Sequence, residues 1–133
     1  MTDRVLSFGY MVPSLLAGRK TRTSRDWDAA RAMLYREGDT IDAWDRSPKY
    51  NGHRIAQLRV TRDAYPQNTS EMDDTVYERE GFAYMDESGY RPLAMAVAPG
   101  KPKNKMWRAV FDRWCVTPKD FWIVEFTLLS RDN

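Results

Sequence analysis

The segment Leu15-Leu16-Ala17-Gly18-Arg19-Lys20-Thr21-Arg22-Thr23-Ser24-Arg25-Asp26 sets the tightest local constraint on this chain. An apolar run stops at Gly18, and a cluster of basic and hydroxyl residues begins at once. A residue without Cβ takes the left-handed conformation at low cost, so Gly18 is suited to end a helix. Thr21 and Thr23 favour extended chain. The segment predicts a helix end, a tight turn and a strand start in quick succession. A turn held between two rigid elements positions side chains well enough for chemistry.

The remaining elements follow from periodicity. Val5–Phe8 reads as a strand, broken at Gly9-Tyr10. Met11–Ala17 reads as a short helix with Pro13 in its first turn. Asp26–Arg36 predicts a helix, capped by Asp26 or Asp28, with Trp27, Ala30 and Leu34 as its buried stripe and Glu37-Gly38-Asp39 as its end. Thr40–Trp44 and Arg54–Thr61 alternate as strands do, with Ile41 and Ala43, then Ala56, Leu58 and Val60, on one face. Arg46–Gly52 is a loop containing the turn signal Asn51-Gly52. Asp63–Asp74 reads as irregular, Asp73–Arg79 as a short helix stopped by Gly81, and Asp86–Gly89 as a loop. Pro92–Ala98 is compatible with strand or helix, and Pro99–Lys103 is a loop. Lys105–Val116 is amphipathic, with Met106, Val110 and Trp114 beside Trp107 and Phe111 on one broad apolar face. Thr117-Pro118 ends it. Phe121–Leu129 is a strand with Trp122, Val124, Phe126 and Leu128 alternating. Short strands mixed with short helices define an α+β class.

Within this frame, Gly18-x-Lys20-x-x-Thr23-x-Arg25 resembles the signature of the ASCH domains, small relatives of the PUA-type RNA-binding barrel. Gly38-Asp39, Glu80-Gly81-Phe82 and the closing strand Phe121–Phe126 fit the same family in order. The resemblance runs over roughly Val5 to Leu129. The fuller run Leu16-Ala17-Gly18-Arg19-Lys20-Thr21-x-Thr23 is most similar to the small bacterial branch that hydrolyses N(4)-acetylcytidine. The resemblance implies a PUA-like β-barrel of about five to six strands flanked by short helices. It also implies Lys20, Thr23 and Glu80 as the catalytic set.

Length and composition bound the alternatives. The chain has 133 residues, enough for one domain with one core, expected to span 1–133. Hydrophobic residues at 42% and charged residues at 30% argue against global disorder. A net charge of +2 is too small to imply a nucleic-acid partner, so only local clusters count: Arg19, Lys20, Arg22 and Arg25, and separately Lys101, Lys103 and Lys105. One cysteine, Cys115, excludes an intrachain disulfide and a thiolate metal cluster; one histidine, His53, removes histidine-based zinc sites. No cofactor is expected. No apolar run approaches membrane-spanning length, and no long apolar signal core stands at the N-terminus, so a cytoplasmic protein without a membrane partner is expected.

The chemistry centres on Lys20 and Thr23. A threonine hydroxyl needs a base to become a nucleophile, and a lysine serves when desolvation or neighbouring cations make it neutral. The expected reaction is attack of Thr23 on the exocyclic amide carbonyl of an N(4)-acylcytosine nucleoside, followed by hydrolysis of an acyl-threonine. In a straight strand, positions three apart face opposite ways, so Lys20 and Thr23 meet only if the chain bends at Lys20 or Thr21. Glu80 either orients Lys20 and shuttles a proton, or acts as base for water while Lys20 stabilises the oxyanion. Glu78 competes for that assignment. Arg25 is read as a ligand for a phosphate, an oxyanion or a structural carboxylate such as Asp39. Tyr10, Trp44 and Tyr84 are candidates to stack on a pyrimidine, against the bland reading of core packing. Cys115 is expected to be buried and His53 to lie on the surface. The alternative functions are an RNA-binding module and a ribonuclease using Lys20, Arg25 and Glu80. A monomer or weak homodimer is expected.

Overall fold

The alternating segments pair into a single six-stranded sheet with the helices on its flank, the α+β arrangement expected. The computed structural model describes residues 4–89 and 106–132. In chain order the strands are β1 (Val5–Ser7), β2 (Arg22–Arg25), β3 (Thr40–Trp44), β4 (Arg54–Val60), β5 (Tyr65–Asn68) and β6 (Asp120–Arg131). The helices are α1 (Val12–Leu16), α2 (Ala29–Ala32), α3 (Asp74–Arg79), α4 (Phe82–Ser88) and α5 (Met106–Val116). Strand order is β1-β3-β4-β6-β2, with β5 also on β6. Among the described residues, β1 and β3 are the one parallel pair.

β6 is the spine of this curled half-barrel. Its C-terminal half pairs with β4, from Phe126 opposite Val60 to Arg131 opposite Ala56. Its N-terminal half has β2 on one edge and β5 on the other, so Ile123 lies opposite both Ser24 and Tyr65. Register shifts at Ala43/Trp44 and Gln57/Leu58 mark bulges, which bend a strand and increase its twist.

Neighbouring residues of β6 divide two cores. Val124 and Phe126 pack with Leu6, Phe8, Leu15, Ile41, Leu58 and Val60. Ile123, facing the other way, packs with Val76, Phe82, Met85, Trp107 and Phe111 of the helices. The helical core is tied down by Asp86. Its buried carboxylate accepts from the Tyr77 hydroxyl at 2.6 Å and from the backbone N–H groups of Trp107 and Arg108 at 2.9 and 2.8 Å. It thus satisfies donors in the first turn of α5, which have no partner within the helix.

Three segments differ from the sequence reading. The helix expected over Asp26–Arg36 is a single turn, capped by Asp28. The chain leaves it at Met33-Leu34, so the helical stripe fails: Ala30 and Leu34 are exposed, while Ala32 and Tyr35 are buried. Trp27 instead stacks on Tyr35, ring centroids 4.8 Å apart. The stretch read as irregular contains β5, whose Pro66 sits on a sheet edge where a missing N–H is tolerated. Asp86-Glu87-Ser88 is the last turn of α4, not a loop, and only Gly89 leaves the helix. Cys115 is half-buried rather than buried. The Pro92–Ala98 segment, the Pro99–Lys103 loop and the Lys101/Lys103/Lys105 cluster lie outside the described residues.

Candidate functional site

Gly18, at φ +76, turns the chain back after α1 as its sequence context predicts. The backbone N–H groups of Arg19 and Lys20 then both donate to the Ser14 carbonyl at 3.1 Å, wrapping the turn over the helix end. Thr21 N–H donates to the Arg79 carbonyl at 2.8 Å, which docks the turn on the last residue of α3. The next residue, Glu80, caps α3. Gly81 follows at φ +95, and a Cβ there would stand 2.4 Å from Ser14 Oγ and 3.1 Å from Lys20 Cβ. The glycine lets three segments close on one point.

At that point lies a buried ionic cluster. Lys20 Nζ donates to the Glu80 carbonyl at 2.8 Å and to Glu80 Oε1 at 3.3 Å. Arg22 Nε and Ser24 Oγ both donate to Glu80 Oε2, at 3.1 and 2.6 Å. Lys20 and Glu80 are 4% and 2% exposed, so this is an interior pair and not a surface one. Glu78 is not its competitor: it lies outside, paired with Arg19, which also reaches Glu87. Burial pushes the Lys20 ammonium down to about 8, opposed by Glu80 and assisted by Arg25 and Arg22.

Strand alternation sorts the rest. Arg22 and Ser24 turn towards Glu80, while Thr23 and Arg25 share the other face, where Arg25 Nε donates to Thr23 Oγ1 at 3.2 Å. Lys20 precedes β2 and escapes the alternation. Lys20, Thr23, Ser24, Arg25 and Glu80 all line one cavity of about 660 Å³. Its other walls are Ser7 to Met11, at the end of β1, and Phe82, Trp107, Val110 and Trp114 of α4 and α5. The cavity sits where the half-barrel leaves β1 and β2 unpaired, and Arg25 Nη2 spans that gap to the Ser7 carbonyl at 2.7 Å. Its wall is thus polar on the β2 side and aromatic on the helix side.

Of the expected stacking residues, Tyr10 lines the cavity. Trp44 and Tyr84 do not: Trp44 lies at the end of β3, and Tyr84 packs with the helical core under Arg19. Asp39 is the partner of Arg4, not of Arg25. His53 is on the surface, as expected. Sequence reasoning missed Arg22 and Ser24 as partners of Glu80, although their i, i+2 spacing on a strand places them on one face. It also missed Phe8, Phe82, Trp107 and Trp114 as walls, since aromatics within an apolar pattern read as core.

Among the described residues, no group of three or more His, Cys, Asp or Glu side chains is arranged to hold a metal ion, and no helix is long and apolar enough to cross a membrane. The fold has a solved counterpart. The structure is similar to the crystal structure of protein EF3133 from Enterococcus faecalis V583, a protein of the DUF984 family, with a TM-score of 0.57. The match covers 98% of this chain and 78% of that one at 12% identity, a likeness of fold alone. No protein-family model matches the chain, and no curated protein matches it.

Proposed function

We propose that this chain is an ASCH-type amidohydrolase that removes the acyl group from N(4)-acylcytosine nucleosides, with N(4)-acetylcytidine as the reference substrate and no cofactor. The supporting observation is a buried lysine with a lowered pKa and a threonine hydroxyl lining the same aromatic-walled cavity. Neutral Lys20 takes the Thr23 proton, directly or through a water, while Arg25 stabilises the developing alkoxide at Oγ1. Thr23 Oγ1 attacks the amide carbonyl. As the tetrahedral intermediate collapses, the Lys20 ammonium returns that proton to the exocyclic nitrogen, and cytidine leaves. Water then attacks the acyl-threonine with Lys20 as base, releasing the acid and regenerating the hydroxyl. Both oxygens of Glu80 already accept from Lys20, Arg22 and Ser24, which favours Glu80 as the holder of the cluster over Glu80 as a free base.

The test is cytidine release from N(4)-acetylcytidine by purified protein, with and without chelator. Release is expected to survive chelator, to vanish in Lys20→Ala and Thr23→Ala, and to persist in part in Thr23→Ser. No release across several acyl lengths by folded protein, or full release by Thr23→Ala, overturns the proposal.

A further inference from the structure

Arg25 is a half-buried cation whose hydrogen bonds go to neutral acceptors. Its Nε goes to a threonine hydroxyl, its Nη2 to the Ser7 carbonyl, and its guanidinium carbon lies 5.5 Å from the Phe8 ring centroid. It makes no ion pair among the described residues, whereas Arg4, Arg19, Arg22, Arg54 and Arg79 each have a carboxylate. Around the cavity, Lys20, Arg22 and Arg25 face a single carboxylate, Glu80. A guanidinium carries five N–H donors in a planar fork that matches a carboxylate, and two contacts leave part of that fork unused. A cation that shares its nearest carboxylate with two others is incompletely neutralised, and in a partly desolvated setting it attracts an anion more strongly than a surface cation does. What surrounds the cation selects the anion. Lys20 Nζ and Ser24 Oγ already donate to Glu80, and Phe8, Phe82, Trp107 and Trp114 wall the cavity with aromatic faces, which favours an anion of single charge with an apolar tail.

We infer that the polar end of this cavity is a carboxylate-binding site built on Arg25, and that its ligands are small monocarboxylic acids with an apolar tail. The fork takes the carboxylate, and the tail lies against Phe82, Trp107 and Trp114. As the site that retains the acid released by the enzyme, it rests on the hydrolase reading; as a binding site, it rests on geometry alone.

The experiment is a titration of the full chain, followed by the indole N–H resonances, with benzoate, its neutral isostere benzamide, and phenyl phosphate. Benzoate is expected to bind at least about tenfold more tightly than benzamide, since one charge-assisted bidentate contact separates them. It is expected to move the Trp107 and Trp114 indoles and leave Trp27 unmoved. Arg25→Gln is expected to bring benzoate down to the level of benzamide. Should that variant not fold, Arg25→Lys, which keeps the charge and loses the fork, is expected to narrow the difference several-fold. Equal binding of benzoate and benzamide by the wild-type chain overturns the inference, as does a shift spread over all indoles. Tighter binding of phenyl phosphate than of benzoate reassigns the site to phosphoryl groups and overturns it equally. Benzoate binding without cytidine release removes the hydrolase reading and leaves the site. Cytidine release without benzoate binding or inhibition does the reverse.

Discussion

Glu80→Gln isolates the energetics of the buried cluster, because it keeps shape and removes only charge. In the native protein one carboxylate answers two cations, Lys20 at 3.3 Å and Arg22 at 3.1 Å, as well as the Ser24 hydroxyl. A glutamine has one acceptor oxygen, so its amide nitrogen must face either Lys20 or the Arg22–Ser24 pair. Removing one partner of a buried ion pair costs roughly 3–5 kcal/mol, a large share of the ~5–15 kcal/mol that holds a domain. With a urea slope of about 2 kcal/mol/M, the unfolding midpoint is expected to fall by about 1.5–2.5 M. Part of the loss depends on pH, with a defined sign. Lys20 is held at about 8 in the folded state against 10.5 unfolded, so the unfolded chain binds more protons between these values and stability rises with pH across that window. Glu80 raises the Lys20 value; its removal lowers it further. Below pH 8 the variant keeps a charged Lys20 at greater cost, or deprotonates it. Above pH 8 Lys20 is largely neutral in both folded proteins, and the difference shrinks. Urea titrations at pH 7 and pH 9 read this directly: the deficit is expected to be larger at pH 7. A deficit under 1 kcal/mol at both values would mean a screened surface pair, and an equal deficit at both would mean that Lys20 carries none of it.

The proposed turnover is expected to rise with pH towards a plateau above about 8, because Lys20 acts as the neutral amine; in Glu80→Gln the midpoint is expected to move to lower pH, read from kcat/KM profiles. Gly81→Ala combines a φ of +95 with a Cβ 2.4 Å from Ser14 Oγ, and is expected to cost at least about 2 kcal/mol in urea unfolding. Asp86→Ala strands the Tyr77 hydroxyl and the Trp107 and Arg108 N–H groups; a loss of about 2–3 kcal/mol is expected by the same assay, with the Lys20–Glu80 cluster untouched. Ile123→Ala opens a cavity in the helical core under a wholly buried residue, and is expected to cost about 2–5 kcal/mol.

Where one physical signal dominates a segment, the sequence was legible. Ile41 and Ala43, and Ala56, Leu58 and Val60, alternate because one sheet face is buried and the other is not. Met106, Trp107 and Phe111 recur at helical spacing because α5 presents one face to the core formed by Phe82, Met85 and Ile123. Where two signals compete, the reading failed. Ala29–Ala32 has high helix propensity, but propensity adds only tenths of a kcal/mol per residue, and packing of Tyr35 and Trp27 draws the chain away after one turn. Tyr65–Asn68 contains a proline that argues against a strand, yet the free edge of β6 supplies the pairing. The site follows the same logic. Lys20, Thr23 and Glu80 carry a motif and could be singled out as candidates; their arrangement depends on a contact between Lys20 and Glu80, sixty positions apart. That Arg22 and Ser24 clasp Glu80, while Arg25 turns to Thr23, is decided by where β2 begins. Lys20 stands just before that start, in the turn and not in the pleat. A one-residue shift of the strand start would exchange the two faces, placing Thr23 on the carboxylate and Arg22 in the cavity. The turn at Gly18, the anchor of Thr21 on Arg79 and the close approach at Gly81 together fix that register. The face that Thr23 and Arg25 present to the cavity is therefore set by backbone contacts made elsewhere in the turn.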